Sequence, residues 1–222
     1  NLYPDKLWPH TFCVKITLHE AGETEIQERF IMNYKLENLT AMPLGQGLML
    51  APYDAQRYFE LGETDAQLLS MLSDDAIKRY LPNMDLSTKE SALKFLSNLP
   101  LLTETGLSIA YSITANNMPI GFIFIHTPIF NESIGLNKWT LTFFMLPPMR
   151  GKGLMVASLR RVLYLLKAKL GVSEVYATAD KTNTVSHKIL QAVYFEPTDI
   201  HDVANQGVTY VCNLDSLNFQ YK

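Results

Sequence analysis

The sequence has few cysteines, little net charge and no long apolar run. Its 222 residues include 2 cysteines, too few for the disulfide framework of a small secreted protein. The formal net charge is -3, so the basic excess typical of nucleic-acid-binding proteins is missing and we predict no nucleic-acid partner. No apolar run approaches the ~20 residues that span a bilayer, and no signal-peptide pattern opens the chain. We therefore predict a soluble, cytoplasmic protein without a membrane segment.

Apolar residues are abundant enough to build a core. Hydrophobic residues make up 47% of the chain and charged residues 18%, a balance that excludes intrinsic disorder. No internal repeat is present, which excludes a solenoid. The 5 histidines and 2 cysteines show no metal-ligand spacing, so we predict no metal site. The length fits one large domain or one domain with an appendage.

Periodicity in the chain predicts a mixed α/β (α+β) protein. A β-hairpin is predicted over residues 11–34, with a short helix over 24–32 as the alternative. Further strands are predicted over residues 48–51, 107–114, 120–126, 139–146, 175–179, near 195, and over 208–214. Helices are predicted over residues 54–72 with a break near Gly62, from 87 or 88 to 99, over 153–170 and over 184–193.

The segment from Arg150 to Met155, RGKGLM, joins a predicted strand to a predicted helix. The first amides of a helix have no partner within the helix, and its dipole adds positive potential there. Glycines allow the backbone to close on a phosphate, and Arg150 and Lys152 add positive charge. The junction is therefore a candidate anion site. An ordinary glycine turn between strand and helix is the alternative, and the spacing matches neither a Walker motif nor a Rossmann fingerprint.

This segment resembles the Arg/Gln-x-x-Gly-x-Gly/Ala pyrophosphate loop of the GNAT superfamily of acetyl-CoA-dependent N-acetyltransferases, with Met155 at the last small position. Downstream, Asn183 and Ser186 match the Asn-x-x-Ala/Ser of a helix in that family, and Tyr194 stands where the family usually has glycine.

Two earlier segments, Leu50-Ala51-Pro52 and Arg79-Tyr80-Leu81-Pro82, look like the ribosomal-protein N-acetyltransferase-like branch. The resemblance covers about residues 44–222. It implies a central mixed, mostly antiparallel sheet flanked by helices, with residues 1–43 as an N-terminal extension.

The resemblance implies that acetyl-CoA is the cosubstrate and that a primary amine, either a protein N-terminus or a small amine, attacks it directly. The residues that it places at the cosubstrate are Phe144, Met145, Leu146, Arg150, Gly151, Lys152, Gly153, Leu154, Met155 and Asn183. A backbone N–H within residues 144–146 is expected to polarise the thioester carbonyl.

The acid and the base of the reaction are less evident. Many family members have a tyrosine where Leu190 stands, so Ser186, one turn after Asn183, is the predicted proton donor. Tyr194 is a second candidate, but beside Phe195 it is predicted to be a core residue. The strand over 139–146 contains no carboxylate, and His126 is the predicted base because its pKa range suits the task. The alternative for Ser186 is an ordinary helix serine bonded to a backbone carbonyl. The alternative for His126 is a solvent-facing end of its strand. Further candidates for the base are Glu132, Glu196, Asp199, His201 and water.

A second interpretation follows from the missing tyrosine and carboxylate: a catalytically weak CoA-binding or interaction protein on the same fold. The extension contains Tyr3, Trp8 and Phe12, which indicate a surface that covers the domain or contacts a second subunit, for instance in a homodimer.

Overall fold

The computed structural model describes residues 40–45, 47–132, 137–200 and 207–218, with the backbone alone for Glu132. The hairpin predicted over residues 11–34 lies outside these residues. The strands are β1 (Met42–Gly45), β2 (Leu48–Pro52), β3 (Ser108–Ala115), β4 (Met118–His126), β5 (Trp139–Met145), β6 (Glu174–Asp180), β7 (Glu196–Pro197) and β8 (Gly207–Asn213). The helices are α1 (Ala55–Leu72), α2 (Asp75–Tyr80), α3 (Lys89–Glu104), α4 (Pro128–Glu132), α5 (Leu154–Leu170) and α6 (Thr184–Ala192).

The eight strands of the described residues form one sheet in the order β1-β2-β3-β4-β5-β6-β8-β7. Every neighbouring pair is antiparallel except β5 and β6, which run parallel. Helices α1, α2 and α3 pack on one face of the sheet, around Phe122, Phe124 and Phe144. Helices α5 and α6 pack on the other face, around Ile123 and Leu141. The predicted fold class, a mixed, mostly antiparallel sheet flanked by helices, is confirmed.

Local signals explain where the helices begin and end. The side chain of Asp74 accepts a hydrogen bond from the Ile77 N–H, and Thr88 forms a capping box with Ser91. These contacts fix the first turns of α2 and α3. Helix α5 lies between Gly153 and Gly171, which have φ angles of 72° and 65° that glycine adopts without strain.

Three local predictions need correction. Helix α1 is continuous through Gly62. A Cβ at this position would lie 2.9 Å from the Tyr58 ring, so glycine makes room for that ring. Helix α3 continues past residue 99 and through Pro100 to Glu104. Tyr194 is not a core residue, since 55% of it is exposed. Its φ of 69° explains why the resembled family favours glycine at this position.

Candidate active site

A cavity opens where β5 and β6 separate. The two strands pair at two positions, Trp139 with Val175 and Thr140 with Tyr176, although β5 continues to Met145. Beyond these pairs lies a cavity of about 240 Å³. Its walls are residues 141–145 of β5, residues 177–180 of β6, Ala76, Ile77 and Tyr80 of α2, Leu81, Arg150, Met155, Asn183, and Val185, Ser186, Ile189 and Leu190 of α6. The volume is below the roughly 300–1,000 Å³ of sites that enclose a whole drug-sized ligand, so it suits a narrow arm.

The backbone of β5 supplies polar groups to this cavity. The Leu146 N–H donates to the Ile120 carbonyl at 2.9 Å, so the peptide groups of Leu146 face β4. The peptide groups of alternate residues face opposite neighbours, so those of Phe144 also face β4, while those of Phe143 and Met145 face the cavity. Of the three residues predicted to provide the carbonyl-polarising N–H, Met145 therefore has the N–H with the suitable direction.

The junction between β5 and α5 has the backbone of an anion site. Gly151 and Gly153 have φ angles of 74° and 72°, and a Cβ on either would contact nothing within 4 Å. Among the described residues, the N–H groups from Gly151 to Val156 donate to no carbonyl or side chain. Six adjacent amides at the start of a 17-residue helix therefore remain available to an anion. Leu154 is half-buried and Met155 is buried, so both contribute backbone rather than side chain.

The two cations of this junction differ in their surroundings. Lys152 is exposed, with its Nζ 3.7 Å from the Met149 sulfur. Arg150 donates from Nε to the Met145 carbonyl at 2.8 Å and forms a two-point ion pair with Asp74, at 2.5 and 2.9 Å. The hydrogen bond from Arg150 holds the pKa of Asp74 below its usual value. The charge of Arg150 is therefore balanced within the protein.

Helix α6 brings Asn183 and Ser186 to the cavity wall. The Asn183 Oδ1 accepts from the Ser186 N–H at 3.1 Å and caps the helix, which leaves the Asn183 amide N–H₂ free to donate. The Ser186 hydroxyl forms no hydrogen bond with the described residues and can serve a ligand. Leu190 also lines the cavity, 1% exposed, and offers no proton.

His126 lies behind the cavity wall. Its Nε2 is 3.2 Å from the Thr142 hydroxyl, and Thr142 lines the cavity. Its ring stacks on Phe130 with centroids 4.8 Å apart, and its buried Nδ1 has no partner among the described residues. Burial lowers the pKa of His126 to about 4, so the imidazole is neutral near pH 7.

Sequence reasoning missed four polar residues on the cavity wall, Tyr80, Thr142, Thr178 and Asp180. Thr142 and Asp180 belong to the two strands that separate, and no local pattern reports that separation. Asp180 is a poor base, since hydrogen bonds from the Thr182 hydroxyl and N–H lower its pKa. Other candidates lie elsewhere: Glu196 and Asp199 are exposed and do not line the cavity, and the His201 and Glu132 side chains lie outside the described residues.

The geometry suits an elongated ligand that has an anionic end. Free amides at the start of α5 can bind a phosphate, and the cavity-facing peptide groups of β5 can bind an amide-containing arm. In the described ranges, no group of three or more His, Cys, Asp or Glu side chains could hold a metal ion. No helix in the same ranges is long and apolar enough to cross a membrane.

Comparison with known proteins agrees with this geometry. The family model described as acetyltransferase (GNAT) domain matches residues 57–196. A search of curated protein sequences gave no match.

Several solved structures share the fold. The chain is similar to RimL, a ribosomal L7/L12 alpha-N-protein acetyltransferase in complex with coenzyme A, with TM-score 0.64, 16% identity, and coverage of 79% of this chain and 99% of that one. It is also similar to the microcin C7 self-immunity acetyltransferase MccE, solved with acetyl-CoA and AMP, with TM-score 0.64, 10% identity and coverage of 80% and 98%. A third is the ribosomal-protein-S5-alanine acetyltransferase of Vibrio fischeri, with TM-score 0.58, 13% identity and coverage of 80% and 98%.

Proposed function

We propose an acceptor and a division of roles for this chain on the premise that it belongs to the GNAT acetyltransferase family, whose model matches more than half of its length. The protein is an N-acetyltransferase that moves an acetyl group from acetyl-CoA to an amine. We propose that the acceptor is the α-amino group of a protein or peptide. The separation of β5 from β6 beside the free amides of residues 151–156 is the observation that carries this function.

The residues of the site fit acetyl-CoA. The amides from Gly151 to Val156 would bind the diphosphate, and the exposed Lys152 would add positive charge at its edge. The cavity-facing peptide groups of Phe143 and Met145 would bind the amide-containing arm, with Asn183 donating from the opposite wall. Bound there, the cosubstrate supplies an activated acetyl group as a thioester.

Ser186 is the proposed proton donor to the leaving sulfur. As the amine nitrogen forms its bond to the acetyl carbon, the C–S bond breaks and the thiolate takes the Ser186 proton. The proton that the attacking nitrogen then loses restores the serine hydroxyl. Ser186 lines the cavity and its hydroxyl has no other partner among the described residues, whereas Leu190 cannot donate. We expect Ser186→Ala to lower kcat about 10- to 100-fold. The matched control is Ser97→Ala, at an exposed helix serine outside the cavity. An unchanged kcat in Ser186→Ala would contradict the assignment.

We propose that His126 acts on the reaction indirectly, through its hydrogen bond with Thr142, because Thr142 lies between the imidazole and the cavity. A neutral His126 can orient the Thr142 hydroxyl toward the incoming amine. With a pKa of about 4, His126 is a weak base, so we propose that the ammonium loses its proton to water before it attacks. His126→Gln should then lower kcat without moving the pH at which activity rises; a shifted pH profile would instead make His126 the base.

The acceptor class is testable with two panels. The similar structures named for ribosomal-protein acetylation support a protein N-terminus, and the apolar wall that α2 gives the cavity suits a peptide. Short peptides with different first residues, and small amines including polyamines, should be mixed with acetyl-CoA. Thiol release and the mass of the product are then measured. Acetylation of peptides at the α-amino group supports the proposal, and turnover confined to small amines contradicts it.

A catalytically weak CoA-binding protein is the second candidate. It is favoured by the lack of a good general base on the cavity wall. Among the described lining residues Asp180 is the one carboxylate, and it is a poor base because hydrogen bonds lower its pKa. Tight binding of coenzyme A in calorimetry without turnover on either panel would favour this candidate.

The cytoplasm, which contains both acetyl-CoA and new protein N-termini, is the proposed location. A homodimer formed through residues 1–43 is likewise a proposal. Deleting residues 1–39 should reduce the oligomer size in light scattering and leave coenzyme A binding intact. An unchanged size would contradict the dimer.

A further inference from the structure

We propose that Arg150 is a positioning residue, which holds helix α2 against the end of β5 and thereby shapes the acceptor side of the cavity. The inference rests on the proposed function, since it names how one wall of that site is fixed. It also reassigns Arg150, which the sequence places at the phosphate.

The contacts of Arg150 join three elements. Its Nε donates to the carbonyl of Met145 at the end of β5, and its own N–H donates to the Pro147 carbonyl. Its two terminal nitrogens donate to the two carboxylate oxygens of Asp74, which is 76 residues earlier in the chain. The planar guanidinium matches a carboxylate at two points, and an ammonium would not.

Asp74 is also the N-cap of α2. The same Oδ1 that pairs with Arg150 accepts from the Ile77 N–H at 3.2 Å, so the ion pair acts directly on the first turn of the helix. Helix α2 has 6 residues and places Ala76, Ile77 and Tyr80 on the cavity wall. A helix this short depends on such tertiary contacts for its position.

The charges argue against Arg150 as a ligand of the diphosphate. A carboxylate paired to the guanidinium cancels most of its attraction for an anion. The unpaired amides from Gly151 to Val156 are sufficient donors for that role. The two assignments of Arg150 predict different effects of removing the Asp74 charge on coenzyme A affinity.

Asp74→Asn is the decisive variant, because asparagine remains a good N-cap and only the ion pair is lost. If Arg150 positions α2, coenzyme A affinity in calorimetry stays within about twofold. Amide hydrogen exchange over residues 75–80 becomes faster, and the KM for the peptide acceptor rises about fivefold or more, with the KM for acetyl-CoA unchanged. If Arg150 binds phosphate instead, the released guanidinium makes coenzyme A bind more tightly, and the proposal is overturned.

Arg150→Lys and Arg150→Gln complete the test. Lysine keeps the charge and loses the two-point geometry, so both variants should accelerate exchange over residues 75–80 and leave coenzyme A affinity within about twofold. A loss of affinity in Arg150→Gln that Arg150→Lys restores would overturn the proposal. The control is Glu63→Gln, which removes the exposed ion pair with Lys89 and should change neither readout. Calorimetry and exchange need no turnover, so they decide this point even if the acceptor assignment fails.

Discussion

Gly153 allows the charge at the proposed diphosphate site to be changed without crowding it. The residue is exposed, its φ is 72°, and a Cβ there would contact nothing within 4 Å. Substitution therefore introduces no clash, but it places an L-residue in the left-handed region, which costs roughly 1–2 kcal/mol of stability. Asparagine and aspartate tolerate this region better than other residues and have nearly the same shape. Gly153→Asn and Gly153→Asp thus share the backbone cost and differ in charge.

The charge difference sets the expected loss of affinity. Two unit charges about 4 Å apart interact by about 1 kcal/mol in water and about 4 kcal/mol at the effective dielectric of a protein surface. Gly153 is exposed, so the lower part of this range applies, and the added carboxylate should weaken coenzyme A binding about 10-fold to 30-fold relative to Gly153→Asn. Salt should reduce the difference.

The assay is titration calorimetry with coenzyme A at low and at high salt, with urea unfolding to confirm that both variants are equally stable. Gly153→Asn should bind within about threefold of the unaltered protein, because its backbone amides remain available. Equal affinities of the Asp and Asn variants at low salt would refute the reasoning and remove the diphosphate from the start of α5.

Two further predictions concern stability. A Cβ at Gly121 would lie 2.7 Å from the Phe144 carbonyl oxygen, so Gly121→Ala should lower the free energy of unfolding by about 1–3 kcal/mol in urea titrations. Gly62→Ala, whose Cβ would meet the side chain of a tyrosine, should lower it less. Equal losses in the two variants would contradict this account. Burial lowers the pKa of His126 to about 4, whereas an unfolded histidine has a pKa of about 6.5. Between these pH values the unfolded state binds a proton and the folded state does not. The free energy of unfolding therefore falls as the pH falls through this window, by at most about 3 kcal/mol. The free energy of unfolding of His126→Gln should therefore fall less between pH 7 and pH 4 than that of the unaltered protein. An identical fall in both proteins would show that His126 does not cause it.

Much of the fold follows from local signals in the chain. Gly153 and Gly171 mark the ends of α5 because each needs a left-handed backbone, and the order of strands and helices follows from hydrophobic period. Errors arose where packing overrode a local signal. At Gly62 the Tyr58 ring occupies the space of a side chain, and the helix continues.

The ligand of the candidate site could be predicted from the sequence, but the geometry of the site could not. Residues 150–155, together with Asn183 and Ser186, indicate acetyl-CoA through their resemblance to the family. The direction of each peptide group along β5 depends on its register with β4, which is a property of two segments and not of one. This register points the peptide groups of Met145 to the cavity side and those of Phe144 and Leu146 to β4.

The sequence by itself determined the family, the candidate anion-binding loop and the limits of most elements, because each depends on residues close together in the chain. Tertiary structure alone decided that β5 and β6 separate after Thr140, that His126 lies behind Thr142, and that Arg150 pairs with Asp74. The physical reason is distance along the chain. A local pattern records the conformation of its own segment, whereas charges and strands that are tens of residues apart meet only when the whole sheet has formed.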